Sequence, residues 1–361
     1  MYQQKDKEIR LLIASSWTGG HIFPGISICQ QLRRIEKVEV FFVINRRSPA
    51  EEILRKQGYT VFILKIEGIK GKGIKSLLCF SKIPIYFYHS FKLIKKISPS
   101  FILGLGGSVC GPICILGKIL GIPTAIHEQN LIPGLTNRIL SYFVDNVFVS
   151  FEETKKYLRN AYYTGNPVRE EFFCINRKKG EKFRILVTGG SQGAHAINAV
   201  FLDALRLLDL DKIKIIHQTG EKDFFYVKKR YEDMKIDAEV LPFIEDMPAV
   251  LEKVDLVISR SGASTLFELS ASGTPSILIP YPYSSDSHQE KNALALVKKG
   301  GAEMILQDEL TAERLAAVIK KYMKQPERLK EMGKKAKMLA KKDSALLISE
   351  KILEMLKHGN T

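Results

Sequence analysis

The segment from 255 to 292 holds the residues whose types and spacing most directly suggest chemistry. An apolar run at 256–258 predicts a strand, which ends at Ser261-Gly262, where a helix begins. A helix N-terminus carries unpaired N–H groups and the positive end of the helix dipole, which together suit a diphosphate. Glu268 lies further along this helix and cannot serve an anion, so we expect its carboxylate to bind the vicinal hydroxyls of a sugar. The segment therefore predicts a site for a nucleotide or a nucleotide-sugar.

The same segment continues to a second group of polar residues. A turn at 273–275 and a buried strand at 277–279 lead to a predicted polar loop, which holds His288, Gln289 and Asn292.

Three further glycine-rich turns, at 17–21, 104–112 and 188–194, each follow a predicted strand. Glycines let a backbone come close to a ligand, and the helix after each turn offers its N-terminus to anionic groups. In the first turn His21 would lie at the helix start and could remove a proton from a hydroxyl near neutral pH; the alternative is a histidine that only caps the turn. The middle turn predicts either an anion-binding nest or a tight strand-to-helix turn. In the last turn Ser191 offers donors suited to a diphosphate.

Polar side chains crowd the end of another predicted strand. The motif HEQN at 127–130 is followed by PGLTNR at 133–138. Because α/β sheets bind ligands at the carboxyl ends of their strands, we expect these side chains to face a ligand rather than to serve the fold alone. Further along, Arg169 would add a cation that neutralises a departing phosphate.

The overall composition limits the class of protein. A chain of 361 residues is long enough for two domains, and 45% hydrophobic with 26% charged residues is typical of a globular protein. The net charge of +16 favours polyanionic partners: nucleic acid, an anionic bilayer surface or phosphorylated substrates. No apolar run of about 18 residues predicts a membrane span, and the first residues lack the apolar core of a signal peptide. The five cysteines form no zinc pattern, so we expect reduced structural thiols.

Strand-like runs alternate with helical patterns along the chain, which predicts parallel sheets built from βαβ units. Each half opens with a strand that runs into a glycine-rich turn, so we expect an α/β fold of two doubly wound domains with a seam near 165–168. A basic helix at 328–342 and an amphipathic helix at 345–357 are predicted to end the chain. The predicted strands are 9–14, 38–44, 61–66, 101–105, 124–127 and 144–149 in the first half, and 183–188, 213–218, 238–241, 256–259 and 276–279 in the second.

One stretch bears on whether the site holds a metal, and another on whether the protein binds a membrane. The D-x-D at 209–211 follows an apolar helical run, so we interpret it as an exposed helix terminus and expect no metal in the site. The stretch 70–96 mixes many lysines with aromatic and aliphatic residues, which suits an interfacial patch on anionic lipid. The alternative for this stretch is an ordinary amphipathic helix with a lysine-rich solvent face.

Taken together, these segments resemble one family, the MurG glycosyltransferases of peptidoglycan synthesis. The resemblance covers nearly the whole chain in order. Where the family's first turn usually reads GGTGGH, this chain has Ser16 and Trp17 in place of the leading glycines, and a tryptophan cannot allow the same backbone approach. Loop 104–112 carries Ser108 and Cys110 where the family usually has Tyr and Ser. The matching motifs are TGGHIFPG, GLGGSVCGP, HEQNLIPGLTNR, GNPVR, GGSQGAHAIN, FIEDM, SRSGASTLFELSASGTPSILIPYP and DSHQEKNA.

The resemblance implies a GT-B fold, in which two Rossmann-like domains face each other across a cleft. It implies an acceptor-binding, membrane-associating domain at 1–168, on which the last helix (343–361) packs back, and a UDP-GlcNAc-binding domain at 169–342. In the second domain Glu268 would hold the uridine ribose, and Ile244 the uracil through its backbone. The family's UDP-GlcNAc contacts would fall on Thr18, Gly19, Gly20, Asn130, Arg169, Ser191, Ile244, Ala263, Ser264, Thr265, Leu266, Phe267, Glu268 and Gln289.

For catalysis, the resemblance implies His21 as the candidate base, with Glu128 as a weaker alternative. The base would deprotonate the C4 hydroxyl of N-acetylmuramic acid in lipid I, and that oxygen would attack the anomeric carbon of UDP-GlcNAc in one inverting displacement. Gly106, Gly107 and Ser108 would bind the acceptor's pyrophosphate. No metal or other cofactor is expected, because helix N-termini would stabilise the leaving UDP.

The expected partners are UDP-GlcNAc, lipid I, an anionic membrane surface and other cell-wall synthesis proteins. The expected location is peripheral, on the cytoplasmic face of the plasma (inner) membrane, with a role in cell shape and division. The nearest alternative is a diacylglycerol-type GT-B glycosyltransferase, although HEQN and DSHQ favour the peptidoglycan enzyme. A hydrolysing UDP-GlcNAc 2-epimerase has this fold but needs carboxylates and histidines that we do not locate in the sequence. A non-enzymatic nucleic-acid binder lacks any supporting RNP-like, helix-turn-helix or zinc pattern, so no nucleic acid is expected.

Overall fold

A computed structural model describes most of the chain as two compact units. The first unit comprises Met1–Arg169 together with Asp343–Thr361, and the second comprises Glu170–Lys342. Trp17, Thr18 and positions 70–80 of the basic stretch lie outside the described residues, which are 8–16, 19–45, 49–66, 81–177 and 180–358.

The described residues of the first unit form one parallel sheet. Its strands are β1 (Ile9–Ser15), β2 (Val38–Ile44), β3 (Thr60–Ile63), β4 (Phe101–Gly104), β5 (Thr124–Glu128), β6 (Asn146–Val149) and β7 (Ala161–Tyr163). They lie in the order β3-β2-β1-β4-β5-β6-β7. The order reverses between β1 and β4, so the carboxyl ends of these two strands form the switch point at which open α/β sheets bind ligands.

Helices cover both faces of this sheet, which explains why its central strands are runs of buried apolar residues. In β1, residues Leu11, Leu12 and Ile13 are all completely buried. The C-terminal helix (Ser344–His358) packs against the first helix of the unit and adds Ile352 to its core. The other helices are α1 (Gly19–Ile35), α2 (Pro49–Lys56), α3 (Ile83–Ile97), α4 (Cys110–Ile119) and α5 (Leu135–Leu140).

The described residues of the second unit form a second parallel sheet. Its strands are β8 (Phe183–Thr188), β9 (Ile213–Gln218), β10 (Ala238–Leu241), β11 (Leu256–Ser259), β12 (Ser276–Leu278) and β13 (Glu303–Met304), in the order β10-β9-β8-β11-β12-β13. Here the order reverses between β8 and β11, which places the switch point at the carboxyl ends of those strands. The helices are α6 (His195–Ala204), α7 (Phe224–Asp233), α8 (Met247–Leu251), α9 (Ala263–Ser272), α10 (His288–Val297), α11 (Ala312–Lys324) and α12 (Pro326–Lys337).

The predicted α/β class with two parallel sheets is confirmed, and the differences from prediction are local. The edge strands β7 and β13 were not predicted, because three and two residues are too few to show a periodic pattern. Strand β3 ends at Ile63 rather than Ile66, since the N–H of Ile66 turns back to the carbonyl of Leu64. The basic helix α12 begins earlier than predicted, at Pro326, and ends at Lys337 rather than at 342; proline suits a first helical turn.

Candidate active site

His21 lies in the first turn of α1, directly after the carboxyl end of β1. Its Nδ1 is 2.6 Å from the carbonyl oxygen of Leu105 and 3.0 Å from Oε1 of Gln129. Both partners are acceptors, so Nδ1 carries the hydrogen and, in the neutral ring, Nε2 carries the lone pair. A lone pair on Nε2 with the opposite nitrogen hydrogen-bonded is the arrangement of a histidine general base.

The turn after β4 approaches the turn after β1 closely. Gly106 and Gly107 have φ angles of 103° and 92°, which side chains rarely allow. A Cβ on Gly106 would lie 2.9 Å from Cε1 of His21, and one on Gly107 would lie 2.6 Å from Cβ of Ser16. The N–H of Ser16 donates to the carbonyl of Gly106 at 2.9 Å. These glycines are therefore required by backbone conformation and by the close approach of His21 and Ser16.

Two side chains of the same turn hold it in place. The hydroxyl of Ser108 donates to the carbonyl of Ile66 at 2.8 Å, and the thiol of Cys110 lies 3.1 Å from the carbonyl of Ala14. The geometry supports the tight strand-to-helix turn that the sequence offered as an alternative. Binding of the acceptor's pyrophosphate by Gly106, Gly107 and Ser108 stays a prediction.

The carboxylate of Glu128 is buried and fully engaged at the end of β5. Its Oε1 accepts hydrogen bonds from the backbone N–H and the side-chain amide of Asn130, at 2.9 and 3.1 Å. Its Oε2 accepts from the N–H of Gly134 at 3.0 Å and from Nδ2 of Asn137 at 2.8 Å. Four donors make this carboxylate the anchor of the loop that follows β5. The same contacts turn the amide of Asn130 towards Glu128.

His127 is completely buried beside this anchor. Its Nδ1 accepts from Nε2 of Gln129 at 3.1 Å, and its Nε2 lies 3.3 Å from Oγ of Ser150 and 3.4 Å from the carbonyl of Gly165. Burial lowers the pKa of His127 to about 4. The imidazole is therefore neutral at neutral pH, as an acceptor at Nδ1 requires.

Asn137 belongs to the motif PGLTNR, which indicates no individual role for this residue, whereas the structure shows an acceptor on its side chain that is unpaired within the described part of the chain. Its Nδ2 donates to Glu128, whereas its Oδ1 is buried with no hydrogen-bond partner among the described residues. The amide lies beside the same glycine as His21, because a Cβ on Gly106 would be 3.8 Å from Nδ2 of Asn137. An unpaired buried acceptor costs about 1–3 kcal/mol, so a donor group on a ligand would regain that free energy.

Other residues predicted to contact UDP-GlcNAc also belong to the first unit. Gly19 and Gly20 begin α1. Arg169, predicted to open the second domain, is the last residue of the first unit's main segment. Its guanidinium carbon lies 5.0 Å from the ring centre of Phe23, two residues after His21 in α1. The structure thus brings Arg169 to the helix that carries the candidate base.

One buried amide joins the predicted donor-binding segments of the second unit. Gln218, at the end of β9, donates from Nε2 to the carbonyl of Gly190 at 2.9 Å and to the hydroxyl of Thr188 at 3.1 Å. Its Oε1 accepts the N–H of Ile244 at 3.0 Å. The N–H of Ile244 is thus engaged within the fold, so a backbone contact from Ile244 to uracil would use its carbonyl. No motif indicated this role for Gln218.

The turn after β8 is compact because Gly193 packs on a neighbouring turn. Gly193 has a φ of 71°, and a Cβ there would lie 2.1 Å from the carbonyl oxygen of Thr219. Ser191 lies exposed in the same turn. Since β8 pairs with β11, this turn and the start of α9 lie at the same edge of the sheet.

Helix α9 begins after β11, with Gly262 in an extended N-cap conformation, and ends at Gly273 in the left-handed conformation. Its first turn contains no acidic residue, which leaves the positive end of the dipole available to an anion. The side chains of Ala263, Leu266 and Phe267 are buried in the core, so these residues can contact a ligand only through their backbone. Ser264, Thr265 and Glu268 are partly exposed.

The predicted polar loop at His288, Gln289 and Asn292 is wrong, because these residues lie in the first turns of α10. Oε1 of Gln289 accepts the N–H of Tyr281 at 3.0 Å, and the carbonyl of Gln289 accepts the hydroxyl of Ser261 at 2.8 Å. The bond from Ser261 ties α10 to the turn before α9, and the bond from Tyr281 ties it to the segment after β12. They also orient the Gln289 amide so that its NH₂ is the group it can offer to a sugar.

Arg260, which directly follows β11, was missed as a candidate. Its guanidinium is mostly buried and donates to the carbonyls of Ile279 and Pro280, at 3.1 and 3.0 Å, and to Oε1 of Gln307 at 2.6 Å. It also lies 5.3 Å from the ring centre of Tyr281. Burial lowers the pKa of Arg260 to about 10, which leaves it charged at neutral pH. The only sequence signal was a charged residue immediately after an apolar strand.

The described residues contain no group of three or more His, Cys, Asp or Glu side chains that could hold a metal ion. Asp209 of the D-x-D forms an exposed ion pair with Lys212 at 2.6 Å. That the protein uses no cofactor stays a prediction. Within the described part of the chain, no helix is both long enough and apolar enough to cross a membrane.

Two parallel α/β units, each with glycine-rich turns at the switch point of its sheet, are the architecture of two-domain glycosyltransferases among other enzymes, and the family models identify which class this chain belongs to. The glycosyltransferase family 28 N-terminal domain matches residues 11–149, and the glycosyltransferase family 28 C-terminal domain matches residues 184–348.

Several bacterial relatives share one name, UDP-N-acetylglucosamine--N-acetylmuramyl-(pentapeptide) pyrophosphoryl-undecaprenol N-acetylglucosamine transferase. The protein of Syntrophus aciditrophicus is 42% identical over 97% of this chain and 99% of its own length, and that of Myxococcus xanthus is 39% identical over 96% and 93%. The crystal structure of Acinetobacter baumannii MurG matches with a TM-score of 0.77 at 28% identity, over 96% of this chain and 99% of that one. The chain therefore belongs to the MurG family of glycosyltransferases, as its motifs predicted.

A UDP-N-acetylglucosamine 2-epimerase also matches, with a TM-score of 0.70 over 98% of this chain and 97% of that one. Its sequence identity is only 13%, so this likeness concerns the fold alone.

Proposed function

We propose that this chain transfers N-acetylglucosamine from UDP-GlcNAc to the C4 hydroxyl of N-acetylmuramic acid in undecaprenyl-pyrophosphoryl-MurNAc-pentapeptide, which converts lipid I to lipid II in peptidoglycan synthesis. Relatives at about 40% identity over nearly the whole chain carry the name of this transferase. The observation within the molecule that supports the reaction best is the geometry of His21, whose Nδ1 hydrogen is held by two acceptors.

The chemical step is one displacement. Nε2 of His21 takes the proton of the C4 hydroxyl while that oxygen forms a bond to the anomeric carbon of GlcNAc. The bond between the anomeric carbon and the β-phosphate oxygen breaks, and its electron pair leaves with UDP, so the anomeric configuration inverts. His21 becomes an imidazolium, and its Nδ1–H keeps donating to Leu105 and Gln129.

Two neighbours of His21 complete the acceptor side. The four donors on Glu128 occupy its carboxylate, which makes His21 the better base and Glu128 the anchor of the loop. The side-chain amide of Asn137 lies beside the same glycine turn, and its unpaired Oδ1 would accept a hydrogen bond from a hydroxyl or amide N–H of the acceptor.

UDP-GlcNAc binds, on this proposal, at the switch point of the second unit. The N-terminus of α9 and the turn with Ser191 donate to the diphosphate, and their fixed dipoles stabilise the charge that develops on UDP. Glu268 accepts from the ribose hydroxyls, the carbonyl of Ile244 accepts from uracil, and the NH₂ of Gln289 donates to the transferred sugar. Arg169 supplies a cation, and the reaction needs no metal.

The membrane-facing surface, on the same proposal, lies in the first unit. The side chains of Ile85, Tyr88 and Phe91 in α3 are 53%, 54% and 39% exposed. Exposed lysines follow them, and Lys92 lies 4.7 Å from the ring centre of Tyr88. Apolar side chains beside lysines suit the surface of an anionic bilayer. This surface supports the proposal that the enzyme binds a membrane peripherally. We propose further that the membrane face is the cytoplasmic face of the plasma membrane, where lipid I and other cell-wall synthesis proteins would meet it.

Further exposed apolar residues continue this surface. Helix α3 packs against α4, and α4 packs against α5. The exposed apolar residues of α4, of α5 and of the turn directly after α5 are Ile119, Leu135, Ile139, Tyr142 and Phe143.

The decisive experiment measures transfer of labelled GlcNAc from UDP-GlcNAc to a lipid I analogue in phosphatidylglycerol vesicles. The expected product is the β-linked disaccharide lipid, identified by mass spectrometry and by its anomeric coupling constant. Parallel samples contain diacylglycerol as the acceptor, or no acceptor. Transfer to diacylglycerol, or release of UDP without any acceptor, would overturn the proposed acceptor.

Membrane binding is tested separately by sedimentation with vesicles. Changing Tyr88 and Phe91 together to Glu should lower binding to phosphatidylglycerol vesicles roughly tenfold. The matched control is Phe225→Glu, since Phe225 is an 80% exposed aromatic residue of the second unit. Equal binding by both variants would refute a membrane role for α3.

A further inference from the structure

Gln129 is the buried side chain that connects His21 to the polar interior of the first unit. It is 1% exposed. Its Nε2 lies 3.0 Å from the carbonyl of Leu105, and 3.2 Å from the carbonyl and 3.1 Å from Nδ1 of His127. Two carbonyl oxygens fix the orientation of the amide, because the reverse orientation would place oxygen against oxygen. Oε1 of Gln129 must therefore be the atom that faces Nδ1 of His21 at 3.0 Å.

Leu105, His21 and Gln129 close a small hydrogen-bonded ring. The carbonyl of Leu105 accepts from both Nδ1 of His21 and Nε2 of Gln129. Turning the imidazole over by half a rotation would replace Nδ1–H with a carbon and would lose both acceptors. The ring therefore fixes the plane of the imidazole as well as the position of its hydrogen.

We propose that Gln129 is a positioning residue that holds His21 in the orientation and tautomer a base requires. Its amide oxygen keeps the hydrogen on Nδ1, so that the lone pair stays on Nε2, and it stabilises the imidazolium after proton transfer. A neutral amide does this without adding a full negative charge. The inference rests on the proposed role of His21 as the base.

The far end of Gln129 explains why it can hold His21 firmly. Its Nε2 donates to His127, which lies within hydrogen-bonding reach of Ser150 and Gly165 at the end of the first unit's sheet. Ser150 in turn donates to Oδ1 of Asn166 at 3.1 Å. A fully buried chain of this kind restricts each member to one orientation.

The kinetic test uses Gln129→Met, which keeps the size of the side chain and removes both polar atoms. We expect kcat to fall about 10- to 100-fold while KM for UDP-GlcNAc stays within about twofold, as for a misplaced catalytic group. In the His21→Ala background, Gln129→Met should change the residual rate by less than about twofold, because the group it positions is gone. An equal fall in both backgrounds would overturn the proposal.

The matched control is Gln218→Met, the same chemical change at a glutamine that is 2% exposed in the second unit. Because Gln218 holds the turn at Gly190 and the backbone of Ile244, its variant should raise KM for UDP-GlcNAc instead. In the double variant, the effects of Gln218→Met and His21→Ala on kcat/KM, expressed as free energies, should add.

A spectroscopic test does not depend on turnover. Protein labelled with ¹⁵N-histidine should show one neutral tautomer for His21 with the hydrogen on Nδ1, assigned by the signals lost in His21→Ala. Gln129→Met should give a tautomer mixture or the opposite tautomer, and an unchanged spectrum would overturn the positioning role. If His21→Ala left kcat unchanged, His21 would not be the base. The spectrum would still show whether Gln129 sets the tautomer of His21. Should Gln129→Met not fold, Gln129→Asn keeps the amide, shortens its reach and serves both tests.

Discussion

The two sheets share one architecture but hold their candidate residues in different ways. At the switch point of the first unit, side chains position side chains: Gln129 holds His21, and Glu128 holds Asn137. At the switch point of the second unit, the side chains mostly serve the core or hold the backbone in place. Gln218, for example, bonds to backbone groups of two turns.

This difference follows from what each half of the reaction requires. A general base must present one nitrogen lone pair in one direction, which only an oriented side chain can do. A diphosphate needs several N–H donors converging on it, which a helix N-terminus and a glycine turn supply from the backbone. Substitutions at His21 and at the side chain that holds it should therefore change kcat, and those that move the backbone of the second unit should change donor binding.

His21→Ala should give the largest effect and the sharpest test of this division. Loss of the base is expected to lower kcat on the order of 10² to 10⁴-fold. The Kd of UDP-GlcNAc, measured by titration calorimetry, should stay within about twofold, because His21 acts on the acceptor hydroxyl.

The control for this variant is His195→Ala, whose side chain is 70% exposed in the second unit and pairs with Asp223. It should leave kcat unchanged. A near-normal kcat for His21→Ala would remove His21 from the mechanism and with it the contrast between the two units.

Gly193→Ala tests the second unit through its backbone. The added Cβ would meet the carbonyl of Thr219 in a residue with positive φ, so the turn must move. We expect a loss of more than about 3 kcal/mol of unfolding free energy, and no measurable UDP-GlcNAc binding.

Gly190→Ala is the matched control, since Gly190 has a φ of 79° but no atom lies within 4 Å of the added Cβ. This variant should lose only about 1–2 kcal/mol of unfolding free energy, which is the strain of a residue with a side chain in the left-handed conformation. If urea titrations showed equal destabilisation for Gly193→Ala and Gly190→Ala, the positive φ angle alone, and not the packing against Thr219, would explain the loss at Gly193.

The fold could be predicted from the sequence because glycine turns after apolar strands are local patterns. His21 was predicted as a candidate from its turn, and Glu268 from its place in the helix after Ser261-Gly262. Their partners depend on contacts between distant segments: Gln129 lies 108 residues from His21 in sequence. Ser261 bonds α10 from 28 residues away, a contact absent from the local pattern that predicted a loop there.

Acid pH should lower the unfolding free energy of both units, so in this respect we expect the two units to behave alike. Burial lowers the pKa of His127 to about 4 and that of His217 to about 3, whereas an unfolded histidine has a pKa near 6.5. The unfolded chain therefore binds more protons as pH falls below about 6.5, and stability is lost down to the folded pKa values. Each histidine should remove about 2 kcal/mol of unfolding free energy between pH 7 and pH 5.

Urea titrations at several pH values would measure this slope. A flat stability between pH 7 and pH 5 would contradict the neutral, buried state of both histidines. If the unfolding free energy of only one unit depended on pH, the buried histidine of the other unit would not have a lowered pKa.

Arg260→Met has the smallest expected effect. It tests whether any side chain of the second unit acts in the chemical step rather than by holding the backbone. Arg260 is a charged side chain, yet it donates to the carbonyls of Ile279 and Pro280, at the start of the loop that leads to Gln289. If it acts only by holding that backbone, KM for UDP-GlcNAc should rise about tenfold, or about 1.4 kcal/mol, with kcat at saturating donor within about twofold. Combining it with Gln289→Leu should add little, because both changes act through one loop. A fall in kcat at constant KM would instead place a side chain of the second unit in the chemical step, and the contrast with His21 would no longer hold.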